Sequence, residues 1–513
     1  MADKDFDNPV LQNQFLESCD LPEPEKPIPP FVLVIFGGTG DLSRNKLIPA
    51  LFQLFISGKL PPRFFVLGLG SRLLSDQEFR VFCRDAVASG AASAEAVEDF
   101  GARFGYLAQD LNRAGEPAGL CGRLTQLRAG LDSPDVLFLF YCALPPDLLP
   151  AVVRSLDAIP ACHDSRVAKI VVEKPFGHDL DSCRVFNGLL RQHFPEQQIY
   201  RMDHYLGKDT VQNILFFRFG NSMFEPLWDY RYIDHIQITV AEDAGIENRG
   251  RFYEQSGVIR DIVQNHILQL IALVTMEPPV GFEADFIRDE TVKVFRTFRP
   301  FAPEDFSRRT VLGQYGAGTL LGRPAAAYRA ENHVAPDSVT PTFFAGKFYI
   351  DNWRWARVPI YVRAGKRLSR RFSEICVQFK QPPLRLFGRV CDAITPGAVR
   401  FSLYPEEEIS LRMNVKYPGP GNRPYPVSMK FNYGQTFQLK SFSPYQRLLA
   451  DCLKGDPLLF SRQDGVEAMW AIVDPIVKYW EQNPPGDFPN YAGGAPGPAA
   501  ADELIRRDGR EWV

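Results

Sequence analysis

A continuous apolar run followed by a glycine-rich turn restricts the possible folds of this chain more than any other feature. The run Phe31–Phe36 is typical of a strand buried on both faces of a parallel sheet. The turn after it consists of Gly37, Gly38, Thr39, Gly40, Asp41 and Leu42. A helical pattern through Leu47, Leu51 and Phe55 follows. The spacing is not G-x-G-x-x-G, so the turn is either a tight strand-to-helix connection or a phosphate site at a helix N-terminus.

Further apolar runs at 64–67, 136–141 and 170–172 alternate with helical patterns up to residue 200. This alternation predicts a Rossmann-like, doubly wound parallel sheet. Because the strand ends of such a sheet face the ligand crevice, Pro145, Lys174 and Pro175 are candidate ligand contacts. Lys174 either donates to sugar hydroxyls, held by its neighbour Glu173, or is a surface lysine. Pro175 can follow a cis peptide bond, although most prolines follow a trans bond.

The residues after the second predicted strand bear on the choice of coenzyme. NAD-type folds usually place Asp or Glu here, whereas NADP-type folds use Arg. No acidic residue occurs before Asp76, while Ser71 can hydrogen-bond a phosphate and Arg72 is available. Arg72 is therefore either a contact of the coenzyme or a solvated surface charge.

The pattern changes in the second half of the chain, where apolar and polar residues alternate. Such runs occur at 232–240, 358–362, 375–379, 409–415 and 429–431. Few helical patterns separate the later runs, so we predict a large, mainly antiparallel sheet packed on one face. The predicted fold class is α/β plus α+β, with a C-terminal β+α domain. We predict a flexible tail at 1–30, a dinucleotide-binding domain at 31–202, a substrate-binding domain at 203–513, and irregular structure at 481–502.

Composition excludes several classes of protein. The net charge is −3, from 58 basic and 61 acidic residues without a basic stripe, so nucleic acid is not expected as a partner. The nine cysteines are scattered without a C-x-x-C pair, which indicates reduced thiols, and no metal motif is visible. We see no signal peptide and no apolar run of about 18 residues, and so expect a soluble cytoplasmic protein without membrane contact.

Polar side chains are concentrated at the junction of the two halves. Asp203, His204, Tyr205 and Lys208 place an acid, an imidazole, a phenol and an ammonium within six positions. These groups are costly to bury unless they serve one another or a charged ligand. If the segment is helical, His204 and Lys208 share a face and form a phosphate cradle with Tyr205. The alternative is an exposed, charged helix start.

A histidine lies on the apolar stripe of a predicted helix. Ile259, Ile262, His266, Leu270 and Leu273 share one face at the helical period. The imidazole of His266 is either a core histidine bonded to a neighbour or a general base. A carboxylate on one ring nitrogen would favour the second role, and Asp203 is a plausible partner.

A dense basic cluster follows the strand predicted at 360–363. It occupies 365–371 and includes Lys366 and Arg370. The cluster is either a solvated strand end or the part that completes an anion site.

Taken together, these sequence motifs resemble those of the glucose-6-phosphate dehydrogenase family over nearly the whole chain after residue 30. The most specific motif is Arg-x-Asp-His-Tyr-Leu-Gly-Lys at 201–208, which is followed downstream by Gln-Asn-His at 264–266. The resemblance rests on residues 37–55, 173–179, 201–208, 259–266, 276–278, 313–315, 358–366, 445–453 and 455–456.

The resemblance implies roles for particular residues. His266 corresponds to the catalytic base and Asp203 to its carboxylate partner. The sugar 6-phosphate is implied to bind His204, Tyr205 and Lys208, with Arg370 as a further basic contact. The sugar hydroxyls are implied to bind Lys174, Glu242, Asp261 and Lys366. The coenzyme is implied to contact Thr39, Asp41 and Pro175.

The implied activity is oxidation of β-D-glucose 6-phosphate at C1 to 6-phosphoglucono-1,5-lactone with NADP, the first oxidative step of the pentose phosphate pathway. A homodimer or homotetramer with dimer contacts on the C-terminal sheet is implied as well. The chain departs from the family pattern at two places. Ser71 stands where the family commonly has an arginine, so NAD is a possible coenzyme beside NADP. The C-terminal segment around 493–498 lacks the tryptophan that is usual in the family. The alternatives are another sugar dehydrogenase and a non-catalytic dinucleotide-binding protein.

Overall fold

The computed structural model describes residues 26–88, 93–111, 118–133, 135–384, 386, 394–437 and 442–513. Most of the tail predicted at 1–30 lies outside the described residues, and residues 26–29 have no regular structure. The seven cysteines that the structure describes are all free thiols.

The N-terminal half forms the parallel sheet that the sequence predicts. Its six parallel strands are β1 (Phe31–Phe36), β2 (Phe64–Gly70), β3 (Phe104–Ala108), β4 (Leu137–Cys142), β5 (Ala168–Glu173) and β6 (Ile199–Met202). They lie in the order β6-β5-β4-β1-β2-β3. Strand β1 is buried along its whole length because both of its faces are covered. This order reverses between β1 and β4, where ligands bind in such folds.

The C-terminal half forms an eight-stranded sheet and several small strands. The large sheet contains β7 (Ile233–Ala241), β8 (Thr310–Gly313), β12 (Phe343–Phe348), β13 (Ile360–Gly365), β14 (Phe372–Phe379), β15 (Ala398–Tyr404), β16 (Glu408–Lys416) and β17 (Pro424–Asn432). Its order is β17-β16-β15-β14-β7-β13-β12-β8, and only β7 and β13 pair in parallel. The prediction of a mainly antiparallel sheet is therefore confirmed. The small strands are β9 (Tyr315–Gly316), β10 (Gly318–Leu320), β11 (Arg323–Ala325), β18 (Phe460–Ser461) and β19 (Tyr491–Ala492).

Helices cover both sheets. The α-helices are Ile48–Ile56, Asp76–Asp85, Ala94–Ala102, Ala118–Gly130, Leu149–Asp157, Leu180–His193, Asp209–Phe219, Gly250–Val258, Leu268–Thr275, Ala284–Arg296, Asp305–Arg309, Tyr433–Phe437, Pro444–Lys454, Gln463–Gln482 and Ala499–Arg506. Two π-helical stretches, Ser43–Leu47 and Ile259–Ile267, continue directly into α-helices. Capping boxes at Ser75, Asp179 and Ser443 pair the first free amides of their helices with side chains.

Two expectations about local structure are wrong. Residues 204–207 form a turn, and the helix begins only at Asp209, so His204 and Lys208 do not share a helical face. Turn hydrogen bonds from Leu206 N to Asp203 O and from Lys208 N to Tyr205 O replace helical ones. The segment 481–502 is not irregular throughout, because it contains β19 and the start of the helix Ala499–Arg506.

One helical stretch among the described residues, Glu247–Thr275, is long and apolar enough to cross a membrane. However, 94% of its most apolar window is buried inside the protein, as for the central helix of a globular core. It carries His266, and its π-helical part packs against β7 and β13 of the large sheet.

The C-terminal half also returns to the first sheet. Strand β18 pairs antiparallel with β6, Phe460 opposite Met202. The Phe460 ring packs edge-on against Tyr200, with the ring centroids 4.8 Å apart. Residues far beyond 203 thus extend the N-terminal sheet, and the domain division at 202/203 stays a prediction.

Candidate active site

The carboxyl ends of the parallel strands place most of the predicted ligand contacts along one crevice. The glycine turn follows β1, Pro145 follows β4, Lys174 and Pro175 follow β5, and Asp203 follows β6. The Lys174–Pro175 peptide bond is cis. These strand ends meet because the strands run parallel in neighbouring positions, which sequence order alone does not reveal.

Two residues of the glycine turn, Gly37 and Gly38, lie so close to neighbouring backbone that a side chain would collide with it. Gly37 has φ of 83°, and a Cβ there would lie 2.3 Å from the Ala143 carbonyl oxygen. A Cβ on Gly38 would lie 2.8 Å from the Cα of Gly68. Gly40 N donates to Gly37 O, and the chain is helical from residue 41. This geometry fits a dinucleotide, because the glycines allow a tight turn between β1 and the helix, and the first amides of a helix can bind a phosphate.

Ser71 and Arg72 follow β2 on the protein surface, and both are exposed. Gly70, the last residue of β2, lies beside the hydroxyl groups of Thr39 and Tyr106. The Arg72 charge acts on Tyr106, so this arginine lies near the glycine turn. The surroundings of the two residues fit either of their predicted roles.

A buried carboxylate–imidazole pair lies at the centre of the crevice. Asp203 Oδ1 is 2.5 Å from His266 Nδ1, and both side chains are almost fully buried. Asp203 Oδ1 also accepts from Tyr205 N at 3.0 Å. The stripe that places His266 toward the core therefore brings it against an acid 63 residues away. This contact favours the general-base interpretation of His266 over that of a plain core histidine.

The two members of this pair have opposite environments for ionisation. Burial raises the pKa of the Asp203 carboxyl, but its contacts with His266 outweigh burial and hold that pKa at about 2. Burial lowers the pKa of His266, and the Asp203 carboxylate offsets this effect only in part. At neutral pH the pair thus consists of a carboxylate and a neutral imidazole, which is the state that a general base requires.

A chain of alternating charges leads away from His266 Nε2. Lys174 Nζ lies 3.1 Å from that nitrogen and 3.1 Å from Asp261 Oδ1. Lys366 Nζ lies 3.6 Å from Asp261 Oδ2 and forms a close ion pair with Glu242. The buried Lys366 is therefore compensated by two carboxylates, as a buried charge requires. Together these side chains offer donors and acceptors for several hydroxyl groups.

The turn at 204–208 places three further groups beside the pair. The Tyr205 ring stacks on the His266 ring, with centroids 4.1 Å apart and an interplanar angle of 19°. The His204 ring meets the same imidazole edge-on at 4.6 Å. Lys208 Nζ lies 4.7 Å from the centroid of the Tyr205 ring and donates to Leu403 O. The turn thus brings together the three groups predicted to form a cradle, without a helical face.

Two family models match the chain in succession. The glucose-6-phosphate dehydrogenase NAD binding domain matches residues 34–213, and the glucose-6-phosphate dehydrogenase C-terminal domain matches residues 215–513. The chain belongs to the glucose-6-phosphate dehydrogenase family. The resemblance inferred from the sequence motifs is thereby confirmed.

Curated relatives agree with this membership. The chain is 40% identical to the glucose-6-phosphate 1-dehydrogenase of Bacillus subtilis, over 94% of this chain and 98% of the relative. It is 42% identical to the enzyme of the same name from Mycolicibacterium smegmatis, over 95% and 98% of the two chains. The match therefore extends over both halves of the molecule.

Solved structures of the glucose-6-phosphate dehydrogenase family share the fold. One, described as glucose-6-phosphate dehydrogenase in complex with its substrate glucose-6-phosphate, has a TM-score of 0.86 and 32% identity, covering 96% of this chain and all of the other. The enzyme from Mycobacterium avium has a TM-score of 0.80 and 35% identity, covering 94% and 98%. The combination of Rossmann-like and β+α domains is thus confirmed.

Arg370 is the candidate that the structure does not bring to the cradle. This exposed arginine packs over the Phe372 ring, and its charge acts on Arg363 and Glu374. Its neighbour Arg371 instead influences both Tyr205 and Lys208. Successive residues beside a strand point to opposite faces, so a shift of one position changes which arginine faces the site.

Two residues near the site were missed or misassigned from sequence. The Tyr445 ring lies parallel to that of His204 with centroids 6.1 Å apart, although its motif suggested no role. Glu173 was expected to hold Lys174, but Asp261 does so, and Glu173 accepts from the Tyr141 hydroxyl instead. No local sequence signal identifies these partners, because each contact joins separate elements.

Three potential metal ligands lie close together at this site. One ligand atom from each of Asp203, His204 and His266 lies within 4.8 Å of the other two, which is close enough to hold a metal ion. The Lys174 ammonium, 3.1 Å from His266 Nε2, would repel a cation there. The cluster is therefore better explained as a proton-transfer pair with its neighbours.

Proposed function

We propose that this chain oxidises β-D-glucose 6-phosphate at C1 to 6-phosphoglucono-1,5-lactone with NADP, as the first oxidative step of the pentose phosphate pathway. The observation that carries the proposal is the contact between Asp203 and His266 at the strand-end crevice, with Lys174 on the opposite ring nitrogen. Membership of the glucose-6-phosphate dehydrogenase family supports it. So does the likeness to the structure described as containing glucose-6-phosphate.

In the proposed mechanism, His266 Nε2 takes the proton from the C1 hydroxyl. The Asp203 carboxylate on Nδ1 holds the tautomer that leaves Nε2 unprotonated, and it stabilises the imidazolium as the proton arrives. Lys174, now against Nε2, would turn to a sugar hydroxyl when the substrate enters. Asp261, Lys366 and Glu242 would bind further hydroxyls and keep C1 in line with the base.

The sugar phosphate is assigned to the cradle of His204, Tyr205 and Lys208. Burial lowers the pKa of His204 well below its usual value, so its imidazole is neutral and can donate one hydrogen bond. Lys208 contributes charge, with Arg371 as a second basic group nearby. Binding of this remote phosphate helps to orient C1, so a sugar without it should lose rate as well as affinity.

The coenzyme is assigned to the glycine turn and the strand ends that follow it. Gly37, Gly38, Thr39, Gly40, Asp41 and Leu42 would hold the pyrophosphate, Ser71 and Arg72 the 2′-phosphate, and Pro145, Lys174 and Pro175 the nicotinamide end. When bound, the coenzyme supplies the acceptor for the hydride from C1. Because Ser71 replaces the usual arginine, use of NAD beside NADP is part of the proposal.

Steady-state kinetics tests this function directly. Glucose 6-phosphate and glucose should each be assayed with NADP and with NAD by absorbance of the reduced nicotinamide. We expect turnover of the phosphorylated sugar and a large loss in kcat/KM for glucose. His266→Asn should remove nearly all turnover while calorimetry still detects sugar-phosphate binding. Equal turnover of both sugars would support the alternative of a general sugar dehydrogenase, and unchanged activity of the variant would exclude His266 as the base.

We also infer a homodimer or homotetramer in the cytoplasm, with residues 31–202 as the coenzyme domain and residues 203–513 as the substrate and dimer domain. The strand β17 lies at the edge of the large sheet and exposes the apolar side chains of Tyr425 and Met429. An exposed edge strand with apolar side chains is typical of a protein interface, which supports the proposal of a dimer. Light scattering measures the mass in solution. A monomer at micromolar concentration would contradict the dimer.

A further inference from the structure

Glu173 is a titratable residue that the proposed mechanism does not use. It ends β5, directly before Lys174, and its Oε1 accepts from the Tyr141 hydroxyl at 2.5 Å. Glu173 also lines a narrow cleft together with Cys142 and Pro145. A carboxyl group in this position is costly unless its bonds or its charge serve the neighbouring site.

The two phenols beside Glu173 reach residues on either side of the catalytic pair. The Tyr141 hydroxyl also contacts Met202 Sδ at 2.9 Å, one residue before Asp203. The Tyr445 hydroxyl interacts with the Glu173 carboxyl, and its ring lies parallel to that of His204. Through these two contacts one carboxyl connects β4, β5 and the helix Pro444–Lys454 to the turn that carries Asp203 and His204.

The charges around Glu173 oppose one another. Burial and the Asp203 carboxylate raise the pKa of this carboxyl, which lies at about 7 when all of its neighbours act together. Hydrogen bonds from Tyr141 and Tyr445 and the charge of Lys174 act in the other direction. The Cys452 thiol also interacts with this carboxyl, and it is neutral because burial raises its pKa well above the usual value. Glu173 therefore changes charge close to neutral pH.

We propose that Glu173 is a positioning residue for this site: its carboxyl group holds Tyr141 and Tyr445 beside the catalytic pair, and its negative charge offsets the charge of Lys174, whose ammonium lies 3.1 Å from His266 Nε2. This inference rests on the proposed function, in which His266 gains a proton as C1 is oxidised. The charge of Lys174 opposes protonation of His266, so a negative charge that offsets it stabilises the imidazolium. Ionisation of Glu173 therefore increases the rate of the proton-transfer step.

The sign of the pH dependence follows from the charge. Below about pH 7 Glu173 is neutral, and above it the carboxylate is present. The value of kcat/KM should therefore rise through two ionisations as pH increases, before the loss of the Lys208 charge above about pH 8 lowers it again. The first belongs to His266 at acidic pH, and the second occurs near neutrality. Because the two groups interact, the steps are properties of the coupled pair.

The test compares pH profiles of kcat/KM for glucose 6-phosphate between pH 5 and 9 in the parent and in Glu173→Gln. The amide keeps the size and an acceptor for Tyr141 but removes the charge. We expect the step near neutrality to disappear and the maximum of the profile to fall by about tenfold, the effect of roughly one pKa unit of lost charge interaction, while the alkaline fall that belongs to Lys208 stays. Glu173→Asp, which keeps the charge, should restore the second step.

Tyr141→Phe provides an independent variant if Glu173→Gln fails to fold. It removes a donor that stabilises the carboxylate, so the second step should move to higher pH. A parent protein that does not oxidise glucose 6-phosphate contradicts the proposed function itself. An active parent whose profile matches those of Glu173→Gln and Tyr141→Phe contradicts only the role of Glu173.

Discussion

At the scale of single residues, the central feature is an acid that binds its partner through one oxygen. Asp203 Oδ1 accepts from His266 and from Tyr205 N, whereas Oδ2 is buried without a hydrogen-bond partner among the described residues. A buried carboxylate oxygen without a partner costs about 1–3 kcal/mol or more. We infer that the site tolerates this cost because the carboxylate must stabilise an imidazolium during the reaction.

The first prediction concerns Asp203→Asn. The amide preserves the shape of the side chain but can hold the wrong tautomer of His266, so kcat should fall by about 10³–10⁴-fold. The melting temperature should fall as well, because the contacts that hold the pKa of Asp203 at about 2 make its carboxylate a stabilising group at neutral pH. Stopped assays and calorimetric melting measure both quantities. Undiminished kcat would exclude the carboxylate from catalysis.

The second prediction concerns the charge of Lys208. Burial lowers the pKa of this ammonium to about 8, so it is charged below that pH and neutral above it. The KM for glucose 6-phosphate should therefore rise as pH increases from 7.5 to 9.5. Lys208→Arg is the matched control, because a guanidinium stays charged throughout this range. A parallel rise of KM in that variant would assign the effect to another group.

At the scale of elements, the sequence predicted nine of the fifteen strands that the structure describes in the two large sheets, but it misjudged the segment at 204–208. An i, i+4 spacing is compatible with a helix, yet the turn bonds that begin at Asp203 O stop the helix from starting before Asp209. The strands β1, β4 and β5 were predicted because a short continuous apolar run is typical of a strand that is buried on both faces of a parallel sheet. The partners of those strands depend on long-range pairing, which spacing along the chain does not encode.

The third prediction tests the glycine turn. Gly37→Ala adds a Cβ that would lie 2.3 Å from the Ala143 carbonyl oxygen, at φ of 83°. We expect the KM for the coenzyme to rise at least tenfold and stability to fall. Gly58→Ala separates the causes, because Gly58 has φ of 67° but no atom within 4 Å of an added Cβ. In the control variant, the left-handed backbone strain should lower the free energy of unfolding by only about 1 kcal/mol, and the KM for the coenzyme should not change. Equal effects in both variants would exclude the collision as the cause.

At the scale of the whole molecule, the two sheets are connected by more than one crossing of the chain. Strand β18 extends the first sheet at β6, and the buried helix that carries His266 packs against β7 and β13 of the large sheet. The active-site pair itself joins the end of β6 to that helix. The arrangement of the halves and the geometry of the site therefore depend on the same contacts.

The fourth prediction follows from this connection. Phe460→Ala removes a buried ring that packs against Tyr200, and should lower the free energy of unfolding by about 3–5 kcal/mol. Phe282→Ala, at a ring that is 52% exposed, should cost much less. Denaturant unfolding followed by fluorescence and by enzyme activity measures both. Similar losses in the two variants would show that β18 does not contribute to the stability of the first sheet.

The sequence alone determined the types of element, the fold class and the residues with unusual chemistry. Apolar runs, glycine turns and helical stripes are local patterns, and physical chemistry restricts what each can form. Only the tertiary structure decided which of these residues meet. Asp203 reaches His266, Asp261 rather than Glu173 holds Lys174, and Arg371 rather than Arg370 lies toward the cradle. These contacts depend on strand order, on packing between the two halves and on which face of a strand a side chain occupies, and none of these properties is local in sequence.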